Sequence, residues 1–591
     1  MMNNLAPFAL FMGGALILPF FTGRTRNWLL LALAALGFAA VWSLEPGTSL
    51  TVPFLGRELQ LLRVDKLSKV FGYVFTLNAF AAFLFAFKLD DIRQHVAALF
   101  YMGASLGAVF AGDLISLYVF WEIMAVASTF LILARGTKAS SAAGFRYVMV
   151  HLFGGLCLLV GIILHVSSTG STAFEAMTQQ TPGTWLMLLG ILVNASAFPF
   201  SSWLSDAYPE ATVTGGVILS AYTTKTAVYA LLRAYPGWDI LIVIGCVMVV
   251  YGIIYALLEN DMRRILAYSI TNQVGFMVTG AGIGTAMAIN GAAAHAFCHI
   301  IYKALLWMSA GAVLSMTGRS KCTELGGLYK SMPFTMIFGT IGALAISSFP
   351  ATSGFTSKSL IIMSAADQHL AWAWLMLEIA SAGVFLHAGI KFPFFVFFNV
   401  DRGLRPKEAP MNMQMAMGLL AFLCIFLGVY PEPLYAILPF ELESGFSVYG
   451  FGKVVGQLQL LMFSALVFFL FLPLLKRTDT IALEVDWLYR KGGQLFYVVV
   501  DKVFNGINAV SARLTAGAVR GLAALCDSLP ATAAVIITAP VNWLSGSERR
   551  NGHAWKAFVQ EALATGTVPT GATILVITLG LACLVAVALV L

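Results

Sequence analysis

Charge is scarce in this chain. Only 11% of its 591 residues are Asp, Glu, Lys or Arg, against 59% hydrophobic, and the mean hydropathy is +0.85. A soluble domain carries about a quarter charged residues, so an ordinary aqueous surface is excluded for most of the length. The seven cysteines (Cys157, Cys246, Cys298, Cys322, Cys424, Cys526 and Cys583) are scattered and form no CxxC. That spacing supports neither an iron–sulfur cluster nor a zinc site, and the thiols read as small apolar filler. There is no glycine-rich phosphate loop, which argues against nucleotide-driven pumping by the chain itself. The first apolar segment lacks a basic n-region, so no cleavable signal peptide is expected. No cofactor and no metal is called for.

Apolar length is abundant. Runs of ~20 apolar residues, each long enough to cross a bilayer, recur near 5–22, 26–44, 66–88, 94–112, 113–133, 141–167, 184–203, 212–234, 237–258, 263–282, 285–316, 334–365, 371–398, 413–437, 454–475 and 567–591. About sixteen spans are expected on that basis, hence an all-α polytopic membrane protein. The net charge of +7 is no nucleic-acid signal, because the basic residues sit in alternate loops. One set of loops holds Arg24, Arg26, Lys88, Arg93, Arg135, Lys138 and more through Arg477. The other holds Arg57, Arg63, Arg233 and Lys453, leaving aside Lys66 at the start of the third span. The positive-inside rule places the first set in the cytoplasm and both termini outside, in a cell inner (plasma) membrane. Residues 1–445 read as the bundle and 446–591 as a C-terminal extension. Residues 46–65 form an outside loop whose alternating stretches suggest a short hairpin. Residues 484–545 mix charge with apolar positions, read as too polar to span, and suit an amphipathic helix lying on the membrane surface as a lateral brace, before a last span at 567–591.

Two apolar segments carry nearly the same proline-containing phrase: Ala197-Phe198-Pro199-Phe200-Ser201-Ser202-Trp203 and Ser348-Phe349-Pro350-Ala351-Thr352-Ser353-Gly354. Proline removes a backbone donor and clashes with the preceding turn. In a membrane such breaks survive only where protein or water satisfies the freed backbone, and paired breaks point to an ion pathway. Ionisable residues inside spans are functional candidates because burying a charge is costly. Glu122 has apolar neighbours on both sides; its alternative role is a structural ion pair. Lys225 reads as mid-helix, too deep to snorkel. Burial disfavours its charged form, so it can carry a proton instead of standing as a fixed cation. Its alternative is a structural partner for Glu122. His295, His299 and Lys303, at i, i+4 and i+8, share one helical face; histidine both donates and accepts, as a relay must. No carboxylate accompanies the histidines, which weighs against a metal site. Lys358 follows the second break; a lysine snorkelling from a helix end is its alternative. Lys391 sits nearer its helix end and reads as snorkelling, and Glu259, Asp261, Arg263 and Arg264 read as a solvated junction.

At these residues the chain resembles the antiporter-like subunits shared by respiratory complex I, membrane-bound hydrogenases and Mrp-type multisubunit cation/proton antiporters. It is most similar to the D subunit of the Mrp type. The matching phrases are Phe120-Trp121-Glu122, Trp203-Leu204-Ser205-Asp206-Ala207, Asp261 to Ser269, His299 to Leu306 and Ser353 to Lys358, within residues 65–440. The resemblance implies fourteen core helices, two inverted five-helix repeats and a hydrated polar axis along the midplane. It also implies roles for Glu122, Lys225, His295, His299, Lys303 and Lys358 in proton transfer. Other membrane subunits, protons, Na+ as a candidate counter-ion and lipid are the expected partners. One departure matters. The family's lysine, nine residues before the tryptophan of Trp-Leu-x-Asp-Ala, is Asn194 here. Asparagine does not accept a proton at physiological pH, so Lys225 is expected to pair with Glu122 in its stead. Two other readings stay open: a subunit of a redox-driven complex of NADH dehydrogenase or hydrogenase type, and a scaffold that lost transport.

Overall fold

The computed structural model describes residues 6–474 apart from 55 and 444, residues 483–544, and isolated positions beyond (557, 561, 577, 578 and 580–582). The chain divides after Glu484 into two units. Among the described residues ten helices are long and apolar enough to cross a bilayer, with shorter apolar helices at Pro7–Phe20, Pro182–Asn194 and Pro333–Ile346. Three expected spans are split. Residues 184–203 become Pro182–Asn194 and Ser202–Ala207, residues 334–365 become Pro333–Ile346 and Ser353–Asp367, and residues 212–234 become Val213–Leu219 and Thr223–Ala234. The first two splits fall at the proline phrases. The third falls at Ser220-Ala221-Tyr222, so Lys225 is not mid-helix but in the first turn of a new helix. The expected span at 567–591 lies outside the described residues.

The two proline-flagged helices stop in the same way. A serine takes the left-handed conformation, Ser196 at φ 61° and Ser348 at φ 57°. The next amide then donates to the carbonyl five residues back, Ala197 N to Leu192 O at 3.0 Å and Phe349 N to Leu344 O at 3.1 Å. This is the Schellman stop, usually built on glycine. Laid stop on stop, Ser196 matches Ser348 and Asn194 matches Ile346, so the Phe-Pro phrases run one residue out of register.

The helix Ala286–Thr317 lies at the core, buried from Ala288 to Val313. It packs against Lys66–Phe85, Met262–Ile283, Pro333–Ile346, Ser353–Asp367 and Met411–Val429. Small residues allow this: a Cβ on Gly291 would meet the Ile361 backbone nitrogen at 2.9 Å. The expected hairpin is present, Ser49–Phe54 pairing antiparallel with Arg57–Arg63. Its Gln60 amide donates to the Asp113 carboxylate at 2.7 Å, which ties it to the start of the helix Leu114–Leu133.

Two charged groups read from sequence as near water are buried structure. The Lys391 ammonium does not snorkel. It donates to the carbonyls of Ala256 (2.6 Å), Leu257 (2.9 Å) and Glu259 (2.6 Å), at the end of Ile240–Leu258. A cation there meets the negative end of the helix dipole as well as the freed carbonyls. Arg263 is likewise buried, donating to Pro209 O (2.8 Å) and Ala211 O (3.0 Å) and stacking over Trp307. Asp261 caps the following helix through the amides of Arg263 and Arg264. That junction is a clamp, not a solvated loop.

The first unit ends at Glu484, whose carboxylate accepts from the Tyr251 and Tyr268 hydroxyls at 2.6 Å each. The second unit contains one continuous helix of 59 residues, Asp486–Leu544. Its part Asp486–Cys526 reaches a mean hydropathy of 1.2 over its best window, so composition alone would allow a span, contrary to the sequence reading. At 1.5 Å per residue the whole helix is about 90 Å long, roughly three hydrocarbon thicknesses.

Candidate functional site

The two lysines read as proton carriers are built alike. Each is fully buried, and each ammonium donates to a carbonyl released by a helix break. Lys225 Nζ donates to Ser220 O at 2.6 Å, the C-cap of Val213–Leu219, and to Thr224 Oγ1 at 3.1 Å. Lys358 Nζ donates to Ile346 O at 3.1 Å, the last residue of Pro333–Ile346, and lies 5.0 Å from the centre of the Phe276 ring. A half-helix C-terminus offers unsatisfied carbonyls and partial negative charge, so it holds an ammonium without committing it to a carboxylate.

Between these lysines runs the row on the core helix. His295, His299 and Lys303 are all fully buried. The charges of both Lys225 and Lys358 act on His295 and His299, and Lys225 also acts on Lys303. His295 bridges two neighbouring helices: Nε2 is 3.1 Å from Gln273 Oε1 and Nδ1 is 3.1 Å from Ser357 Oγ, beside Lys358. Tyr302 donates to the same Gln273 oxygen at 3.1 Å. With the amide as placed, Nε2–H donates to Gln273, while the Ser357 hydroxyl facing Nδ1 also reaches Ser353 O at 3.0 Å. His299, 6.2 Å ring to ring from His295, has neither nitrogen satisfied by protein among the described residues. Lys303 reaches Leu266 O at 3.3 Å. Buried polar atoms left unsatisfied by protein are commonly met by internal water.

Glu122 stands apart from this row. It is half-buried on Leu114–Leu133, and its carboxylate packs against Gly155 of the helix Lys138–Thr169. Its Oε1 has no hydrogen-bond partner among the described residues. The expected ion pair with Lys225 is not formed: the Lys225 ammonium is spent on the break it caps.

Three ionisable groups escaped the sequence reading. His151, fully buried on Lys138–Thr169, places Nδ1 2.9 Å from Asn194 Oδ1. Its ring packs against both Tyr147, 4.1 Å away by centroid, and Trp203, 4.6 Å away. Glu378, half-buried on Ala371–Val384, is the carboxylate that acts on Lys358. It lines a cavity of about 420 Å³ with Ser359, Trp374, Lys453 and Gln457. His387 sits in the wide turns of Phe385–Lys391, Nδ1 2.8 Å from Gly383 O, within reach of the charges of Lys303 and Lys358. Such π turns recur at functional sites. Glu378 and His387 carried a usable signal, since each is an ionisable residue inside an apolar segment. His151 carried the same signal, but its partner lies 43 residues away.

A polytopic helical bundle whose buried charges gather at interrupted helices is the build of a membrane transport subunit. Residues 111–385 match the family described as NADH:quinone oxidoreductase/Mrp antiporter, transmembrane. The D subunit of the Na(+)/H(+) antiporter of Alkalihalophilus pseudofirmus is 30% identical over 369 residues, 56% of this chain and 74% of that protein. Hydrogenase-4 component B of Escherichia coli is 29% identical over 423 residues, 62% of each chain. A chain in the structure of the Mrp complex from Dietzia sp. DQ12-45-1b superposes with a TM-score of 0.73 at 25% identity, covering 88% of this chain and 62% of that one. The protein belongs to the NADH:quinone oxidoreductase/Mrp antiporter family of polytopic membrane proteins. These relatives are subunits of multisubunit membrane complexes.

Proposed function

We propose that this chain is the proton-translocating, antiporter-like subunit of a multisubunit cation/proton antiporter in the cell's inner membrane. The observation that carries the reading is the buried row from Lys225 through Lys303, His299 and His295 to Lys358, with both end lysines seated on carbonyls freed by helix breaks. A row of like charges couples its members: a proton on one disfavours a proton on the next. Protons would move by water between neighbours, with Glu122 modulating the first half and Glu378 receiving the far end. Na+ is the candidate exchanged cation, as the name of the Alkalihalophilus relative suggests.

Residues 446–591 act in this reading as an extension to the bundle of 1–445, with both termini outside. The helix Asp486–Leu544 is too long to stand across a bilayer and would lie along it as a brace, its exposed Trp487, Leu495, Phe496 and Phe504 meeting a neighbouring subunit or lipid. The test is to purify the complex through this chain and reconstitute it in vesicles without an electron donor. Proton flux driven by an imposed Na+ gradient supports the antiporter reading. Flux only on adding a reductant assigns the chain to a redox-driven complex, and no flux under either condition supports a scaffold.

A further inference from the structure

We propose that His151, positioned by Asn194, is the first-half proton acceptor that works with Glu122, in place of the lysine that Asn194 replaces. This rests on the proton-path reading above. The Asn194 side chain leaves the last residue of its helix and meets the His151 ring at 2.9 Å. With Oδ1 accepting, Nδ1 carries the ring proton and Nε2 bears the lone pair. That Nε2 is buried and has no protein partner among the described residues; the same holds for Asn194 Nδ2 and Glu122 Oε1. Glu122 packs against Gly155, one turn along the same helix from His151, about 6 Å by helical rise. Glycine at that turn puts no side chain between them. Transfer between the two buried, unpartnered atoms would run through water.

The step balances simply. A proton leaves the Glu122 carboxyl, crosses through water and binds His151 Nε2; Glu122 becomes the carboxylate and His151 the imidazolium, while Nδ1–H stays on Asn194. Among the described residues, the carboxylates of the neighbouring elements other than Glu122 are paired. Asp206 pairs with Arg146 at 2.7 Å and Glu210 with Arg135 at 3.1 Å. Tyr147 spends its hydroxyl on Ser128 at 2.8 Å, and the Asn194 helix, Pro182–Asn194, carries no ionisable side chain.

The experiment measures proton flux by the whole complex in vesicles for His151→Gln, His151→Ala, Asn194→Ala, the double variant His151→Ala/Asn194→Lys, and Lys358→Met. Glutamine keeps size and hydrogen bonding but cannot take the proton. The inference expects His151→Gln to lose at least tenfold in flux and the double variant, which restores the lysine, to recover at least half. Asn194→Ala, which frees the ring, should shift the pH profile of flux while leaving the complex assembled. Flux within twofold of wild type and an unchanged pH profile in His151→Gln overturn the inference; so does a double variant no better than His151→Ala alone. If Lys358→Met loses flux while His151→Gln keeps it, this inference alone fails. If Lys358→Met also keeps it, the underlying proton-path reading fails.

Discussion

Gly155 offers a test of Glu122 that changes no ionisable residue. A Cβ at this position would collide with Glu122 Oε1, and would lie 3.0 Å from Cδ and 3.3 Å from Oε2. The three atoms nearest to it all belong to the far end of one flexible side chain, so Gly155→Ala is accommodated by moving the carboxylate. The stability terms oppose one another. Alanine inside a helix gains about 0.5–1 kcal/mol over glycine, and overpacking costs about 1–3 kcal/mol where neighbours are rigid; with a mobile neighbour the cost falls at the low end and the net change is near zero. Transport is another matter, since misplacing a reacting group by about 1 Å can cost about 10²-fold. The adjacent Gly154→Ala is the control. Its Cβ meets Val193 Cγ1 at 3.1 Å, with no carboxylate involved. The account expects Gly155→Ala to assemble and melt as wild type while proton flux in vesicles falls about 10- to 100-fold, with Gly154→Ala near wild type. Equal flux in both variants would refute the claim that the position of the Glu122 carboxylate matters.

Four further outcomes follow. Glu378→Gln should slow proton flux without loss of assembly, because it removes the carboxylate acting on Lys358; unchanged flux removes Glu378 from the path. Lys391→Met should cost about 2–4 kcal/mol of thermal stability by stripping a buried cation from three carbonyls, and an unchanged melting curve would contradict its capping role. Asp65, the N-cap of Lys66–Phe85, is raised by burial, but Arg233 at 2.5 Å and the Ser68 amide outweigh this and hold its carboxyl below the ordinary 3.8. A depressed folded value gives stability that is present above pH ~4 and lost as pH falls below it. Asp65 is more than a third exposed, which screens the pair, so Asp65→Asn should cost about 0.5–1 kcal/mol at pH 7, with the gap to wild type closing on acidification, as melting curves at several pH values will show. Deleting 484–591 should impair assembly more than the proton path within the bundle; co-purification of partners at wild-type levels would end the brace idea.

The sequence was most legible where a rule of cost applies. A membrane does not hold charge or broken backbone cheaply, so Glu122, the His295–His299–Lys303 face, Lys358 and two of the three breaks could be located from residue type and spacing. The third break was not legible, because Ser220-Ala221-Tyr222 contains neither proline nor glycine; Lys225 reaches back to satisfy its freed carbonyl. The Schellman stops sit on serines beside the prolines, so the phrase that flagged them missed their register by one residue. Lys391 and Arg263 looked solvated because they lie near helix ends, yet helix ends supply the carbonyls that bury them. His151 and Asn194 meet only in three dimensions. The Asn194 substitution announced a missing cation, but its histidine partner on the adjacent helix could not be read from spacing.

The most direct measurement is proton flux, driven by a pH gradient, through the intact complex in vesicles, comparing wild type with Lys225→Met and Lys358→Met after assembly has been verified. The account expects each substitution to abolish flux while the complex remains whole, since each removes one end of the buried row. Wild-type flux in either assembled variant would contradict the claim that protons cross along it.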